Sequence, residues 1–309
     1  MKKIVDYELQ DGCTVQPQTK KELVDIIKRT CKRKGWNCDL NFIDTSKITD
    51  MSRLFANIPT CFGGYGFRKF NCDISKWNTS NVTDMHDMFY NAKFFNRPLN
   101  NWEVSNVTDM SSMFDGATKF NQPLDKWNVS KVKNMKYMFA DAIQFNQPIE
   151  NWDVSSVSNM QGMFQKAFSF NQPIEKWDVS NVSSMCGMFK NAISFNHPLE
   201  KWDVSNVHIM NQMFEEAKNF NQPLNNWNTS KVTSMSRMFK KAISFNQPLD
   251  EWDTKNVSKI LDITDMFKDA ENFDNKIPSL KNFEFKRFDD KCFLLGLSHK
   301  YAEKHQHDF

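Results

Sequence analysis

The chain has 309 residues, and 40 Lys and Arg against 37 Asp and Glu give it a formal charge of +3. So even a balance exerts no global pull toward a polyanion, and no nucleic-acid partner is expected. No stretch approaches the ~18 apolar residues of a membrane span.

At the N-terminus, Met1-Lys2-Lys3 has the charged opening of a signal peptide, but Asp6 and Glu8 interrupt any apolar core. The chain therefore reads as cytoplasmic or as exported by another route. Thr19-Lys20-Lys21-Glu22 is a capping box. It predicts a helix over about 20–34, with Leu23, Ile26, Ile27 and Cys31 on one face and Gly35 as its stop. The basic run Lys28 to Lys34 ends that helix, where cations favour the macrodipole, and reads as a solvated end. Residues 1–42 form an N-terminal cap on this reading. Five of the seven cysteines fall in the first 72 residues, at spacings that match no zinc motif. Reduced, partly buried thiols are expected.

Tryptophans then recur every 25 residues, at Trp77, Trp102, Trp127, Trp152, Trp177, Trp202, Trp227 and Trp252. Such a period marks a chain built by stacking one small unit. Ile43 to Met51 echoes the unit upstream, and a Gly- and aromatic-rich insertion from Pro59 to Phe67 delays the next Trp. In the unit beginning at Leu124, Trp127 and Val129 alternate with Asn128 and Ser130, the pattern of a half-buried strand. Val132, Met135, Met138, Phe139 and Ala142 follow at intervals of three and four, which suits one face of a helix or 3₁₀ stretch with Ser130 as its N-cap. Stacked in register, the strands would pair as a parallel sheet, one short strand per coil, with the helical segments opposite. Past Trp252 the Asp265-Met266-Phe267 element arrives three residues late, and repetition ends near Phe273. The repeat thus occupies 43–273. Residues 274–309 cap the other end, with Phe288, Cys292 and Leu295 on one face of a short helix, then a polar tail containing His299, His305 and His307.

Written as Leu124-x-x-Trp127-x-Val129-x-x-Val132-x-x-Met135-x-x-Met138-Phe139-x-x-Ala142-x-x-Phe145, the unit resembles the Treponema-type leucine-rich repeat of BspA-like surface proteins. It is most similar to their 25-residue branch, whose Trp-Asp-Val-Ser-Asn-Val run stands at Trp177–Val182 and Trp202–Val207. The resemblance implies an α/β repeat: a curved, leucine-rich-repeat-like solenoid with its strands on the concave side. It also implies a protein-binding role, as in surface proteins and adhesins.

Positions that recur in every unit read as scaffold. The Trp column is expected in the core, where burial contributes on the order of 1.5–3 kcal/mol per ring. The Asn after each second Phe (Asn121, Asn146, Asn171) is expected to form a ladder between coils. Function is sought in the residues flanking Trp. One column reads Asp125, Glu150, Glu175, Glu200, the next position supplies Lys176 and Lys201, and the residue after Trp gives Asp153, Asp178 and Asp203. These columns are either a solvated face, with the Asp after Trp turning locally to Ser, or a recognition strip for a basic or polar partner with weak Ca²⁺ affinity. No catalytic constellation, cofactor motif or dedicated metal site is legible, and the insertion around Gly63-Gly64-Tyr65 is the one irregular place for a pocket. The expectation is a monomeric, non-catalytic scaffold for a protein partner, either at the cell surface or as an intracellular adaptor, effector or assembly component.

Overall fold

The computed structural model describes residues 14–57, 66–278, 280 and 288–305. Cys13, Cys61, Gly63 to Tyr65 and His307 lie outside them. Helix α1 spans Lys20–Lys34. The Thr19 hydroxyl accepts from Glu22 N–H, and the Glu22 carboxylate reaches back one residue further than the usual box, to Gln18 N–H at 2.7 Å. Gly35 ends the helix at φ 86°, its N–H donating to Cys31 O. Leu23, Val24, Ile27 and Cys31 are buried against the first coil.

From there to Phe273 the chain stacks coils of the expected period, but their backbone is not the expected one. The parallel sheet of the leucine-rich-repeat-like reading is absent. Among the described residues, β pairing is limited to isolated parallel bridges: Val15–Ile43 and Asp39–Asp73 at the N-terminal end, and one residue per coil running Asp50, Asp84, Asp109, Asn134, Asn159, Ser184, Ile209, Ser234. No Trp takes part in a bridge, and only Val15–Ile43 pairs a residue at the Trp position of a unit. The per-coil series opens the Met-x-x-Met-Phe segment, which the 3–4 spacing assigned to a helix.

That segment is not helical either. Tyr137 (φ 55°) and Asp141 (φ 51°) are left-handed, as are their counterparts in every coil, including Ser112, Gly116, Gly162, Lys166, Gly187 and Gln212. An α-helix cannot contain such residues. Interspersed with right-handed residues, they flip successive peptide planes. The result is a zigzag with two alternating sets of bonds. Met135, Tyr137, Phe139 and Asp141 donate their N–H to Asn159, Gln161, Met163 and Gln165 O of the next coil at 2.7–3.1 Å. Between them, Met138, Ala140 and Ala142 close tight turns onto Met135, Tyr137 and Phe139 O. Each donor of this ladder thus points toward the C-terminal end of the stack. Ser130 caps no helix; its N–H and hydroxyl donate to Asn128 Oδ1.

The Trp strip alternates in burial as expected, Trp127 and Val129 in and Asn128 out, yet side chains make its links between coils. Trp127 Nε1 donates to Leu99 O at 2.9 Å and Trp152 Nε1 to Leu124 O at 3.0 Å. Where Thr replaces Val, at Thr79 and Thr229, its buried hydroxyl donates to Glu103 O and Asp253 O of the following coil. The Asn ladder forms: Asn121 Oδ1 accepts from Asn146 N–H at 2.9 Å and Gln147 Nε2 at 3.0 Å, and the pattern repeats to Asn246.

All of the apolar columns are interior. Ring centroids of equivalent residues lie 5.6 Å apart at Phe114–Phe139, 6.1 Å at Phe120–Phe145 and 6.4 Å at Trp127–Trp152. Bridged backbones lie only ~4.8 Å apart. The rings of each column are therefore spaced more widely than bridged backbones. The expected strand face at Trp is not formed, since no Trp takes part in a bridge.

The late element downstream has a simple cause. A 3₁₀ turn, Ile260–Asp262, absorbs the extra residues, after which Phe239 and Lys241 find Met266 O and Lys268 O. The next N–H groups, of Asp265 and Phe267, donate to Leu294 O and Leu295 O, the free carbonyls at the end of helix α2 (Phe288–Leu295). This closes the donor end of the ladder. The following residues are no loose tail: helix α3 (His299–His305) buries Tyr301 against Phe273, with Tyr301 Oη donating to Asn275 O. His305 and Lys304 both pair with Asp274. Among the described residues, no helix is long and apolar enough to cross a membrane.

Candidate functional site

The predicted columns stand side by side on the Trp face. Asp125, Asp153, Lys176, Asp178, Glu200, Lys201 and Asp203 are exposed, and Glu150 and Glu175 are half-buried. The residue after Trp is committed locally. Asp153, Asp178 and Asp203 each accept from the N–H of Ser155, Ser180 and Ser205 at 3.0–3.1 Å. Hydrogen bonds from the Ser hydroxyl and N–H hold the Asp153 and Asp203 carboxyls below the usual range. These three aspartates shape the turn after Trp.

The other column is bonded mainly at its ends. Asn100 Nδ2 donates to Asp125 Oδ1 at 2.9 Å, and Asp250 accepts from Asn225 and pairs with Lys276. In the middle, Glu200 accepts from Asn226 Nδ2, whereas one Glu175 oxygen is shielded from solvent without a hydrogen-bond partner. Among the described residues, no cation of the chain forms an ion pair with Glu150, Glu175 or Glu200, and Lys176 and Lys201 form none. Each coil offers these columns one carboxylate apiece. No three carboxylates among the described residues converge as ligands to one ion.

The face carrying the Met-x-x-Met-Phe ladder bears a charged lattice that the sequence reading missed. Arg53 Nε pairs with Asp87, Lys166 with Asp141, Lys190 with Glu215 at 2.9 Å, and Lys241 with Glu216. Asp115 lies among Asp87, Asp141 and Lys166. Burial and then the Asp141 and Asp87 carboxylates raise its pKa to about 7, against the opposing pull of Lys166. A signal was present: the left-handed positions are where Gly116, Gly162, Gly187, Asn91, Asn191, Asp87 and Asp141 fall, and recurrent Gly, Asn and Asp mark such backbone.

A third cluster lies where α1 meets the first coils. Cys31 on α1, Cys38 just beyond it and Cys72 in the coil bring their sulfurs together, Cys31–Cys72 at 3.6 Å and Cys38–Cys72 at 3.4 Å. Burial, then the Cys72 thiol, pushes the Cys38 pKa up to about 11. Hydrogen bonding to Cys31, then burial, raises Cys72 further. Sequence spacing hides this cluster, since the insertion separates Cys72 from its partners.

Comparison with protein families agrees with the repeat. The model described as Mycoplasma protein of unknown function, DUF285, matches residues 25–147, 57–177, 122–220 and 197–294, overlapping segments that run along the whole stack. The chain belongs to the DUF285 family. Among curated proteins none matches this DUF285 chain. The family description assigns no chemistry to either face or to the thiol cluster.

Proposed function

We propose that this DUF285 protein is a non-catalytic, protein-binding repeat scaffold, displayed at the cell surface in the manner of an adhesin. The observation that supports it most is the contrast between the interior and the Trp-side column. Inside, the recurrent Trp, Asn and Thr groups are satisfied coil by coil. Outside, Glu150, Glu175 and Glu200 rise in register with no pairing cation among the described residues, a strip complementary to a basic or polar protein surface. The resemblance of the unit to BspA-like surface repeats supports the surface location.

The test is capture of binding partners from the native source with the wild-type chain and with a Glu150→Lys/Glu175→Lys/Glu200→Lys variant. Loss of a protein from the variant capture, with unchanged circular dichroism, supports the strip. A partner retained undiminished by the variant sinks it. Localisation of that partner decides between surface display and the alternative, an intracellular adaptor, effector or assembly component.

A further inference from the structure

We propose that Cys31, Cys38 and Cys72 form a thiolate site for a soft divalent cation, Zn²⁺ in the first instance, which ties the N-terminal helix to the repeat. The three sulfurs all lie within 4.8 Å of one another, and no other group of three or more His, Cys, Asp or Glu side chains among the described residues converges in this way. Ligation at the Zn–S distance of ~2.3 Å separates tetrahedral sulfurs by roughly 3.8 Å. The Cys31–Cys72 and Cys38–Cys72 separations of 3.6 and 3.4 Å need only a few tenths of an ångström of expansion to reach that.

A disulfide needs much more, since bonded sulfurs sit at ~2.0 Å. Cys31 and Cys72 are buried and Cys38 is half-buried, so the three thiolates would fill three of the four tetrahedral positions and leave the fourth to water. On binding, each Zn–S bond replaces an S–H bond and a proton leaves to solvent, so the reaction is acid–base and needs no oxidant. The site joins the end of α1, the link after it and the coil carrying Phe70 and Trp77, adding to the backbone bonds from Asn71 N–H to Trp36 O and from Asp73 N–H to Cys38 O that already tie the link to the coil. It therefore acts on the cap and not on the outward columns.

The experiment uses the full chain, reduced with a phosphine, stripped with a chelator and titrated with Zn²⁺ and separately with Co²⁺. The expected result is one tightly bound metal per chain, with a sulfur-to-cobalt charge-transfer band that histidines of the C-terminal helix cannot produce. Cys38→Ser and Cys72→Ser lose that equivalent and the band, whereas Cys186→Ser and Cys292→Ser keep both. Because a variant at buried Cys72 can misfold, a second measurement uses the wild-type chain alone. Zn²⁺ is expected to slow alkylation of Cys31, Cys38 and Cys72, mapped by mass spectrometry, while leaving Cys186 unchanged. Metal bound without the thiolate band, an undiminished equivalent in Cys38→Ser, or no protection of the three thiols overturns the proposal. So does a Cys38–Cys72 disulfide in the metal-free chain as isolated without reductant.

Discussion

Replacing Gly187 by Ala distinguishes the observed backbone from a helix by the sign of its effect. Gly187 sits at φ 60°, and an added Cβ would meet only Gln165 Oε1 at 3.7 Å and Lys190 Cβ at 3.8 Å, ordinary contacts. Its N–H, bonded to Asn211 O at 2.8 Å, is untouched. Sterics drop out, leaving the cost of a left-handed alanine, roughly 1–2 kcal/mol, partly offset by the lower entropy of the unfolded chain. The net expectation is a loss of about 1 kcal/mol. A helix carrying the same Met-x-x-Met pattern would instead gain ~1 kcal/mol from Gly→Ala. The reverse exchange provides the complement. Gln212, at φ 58° in the next coil, is expected to stabilise by up to about 1 kcal/mol on replacement by Gly, where a helix would lose that amount. Equilibrium urea unfolding followed by both Trp fluorescence and far-ultraviolet circular dichroism measures the two differences. Coincident transitions are required, since stacked repeats can unfold in parts. A stabilising Gly187→Ala together with a destabilising Gln212→Gly would refute the left-handed ladder.

Trp152→Phe removes the indole donor to Leu124 O, which keeps Trp127 N–H at 3.1 Å, and opens space in the Trp column. It is expected to cost about 2–4 kcal/mol in the same urea experiment; a cost below half a kcal/mol would show that the indole bond contributes little. Asn121→Ala removes the acceptor of Asn146 N–H and Gln147 Nε2, for an expected loss of ~1–3 kcal/mol. Exposed Asn106, whose Nδ2 donates to Ser80 O, is the control, and an equal effect at both positions would argue against the ladder. Asp115 has its folded pKa raised to about 7, so between the ordinary carboxyl range and pH 7 the folded state holds the extra proton. Stability therefore falls as pH rises through that window and levels off above it. Asp115→Asn should remove this slope and be more stable than wild type at pH 8. A wild-type slope that persists unchanged in Asp115→Asn would remove Asp115 as its source.

How much was legible in the sequence can be judged residue by residue. The capping box at Thr19 to Glu22 identified α1, because capping is local chemistry that needs no distant partner. Burial was equally readable. Trp127, Val129, Val132, Met135, Met138, Phe139, Ala142 and Phe145 are all inside, because a 25-residue period leaves nowhere else to put eight apolar positions. The backbone that carries them was not readable. Apolar spacings of three and four fit a helix, but tight turns closing from Met138 N–H onto Met135 O bring the same residues to the same side. The thiol cluster was hidden for a related reason, since Cys72 meets Cys31 and Cys38 only once the coil is stacked on the cap.

The sequence by itself determined the period, the inward residues and helix α1, because each follows from local chemistry or from the need to hide apolar surface. Only the tertiary structure decided where the alternate N–H groups of the Met-x-x-Met-Phe segment bond. In isolation they would seek a carbonyl within their own turn; beside a second coil they find one across the stack. That choice depends on a neighbour 24 residues away, and it sets the handedness of every second turn.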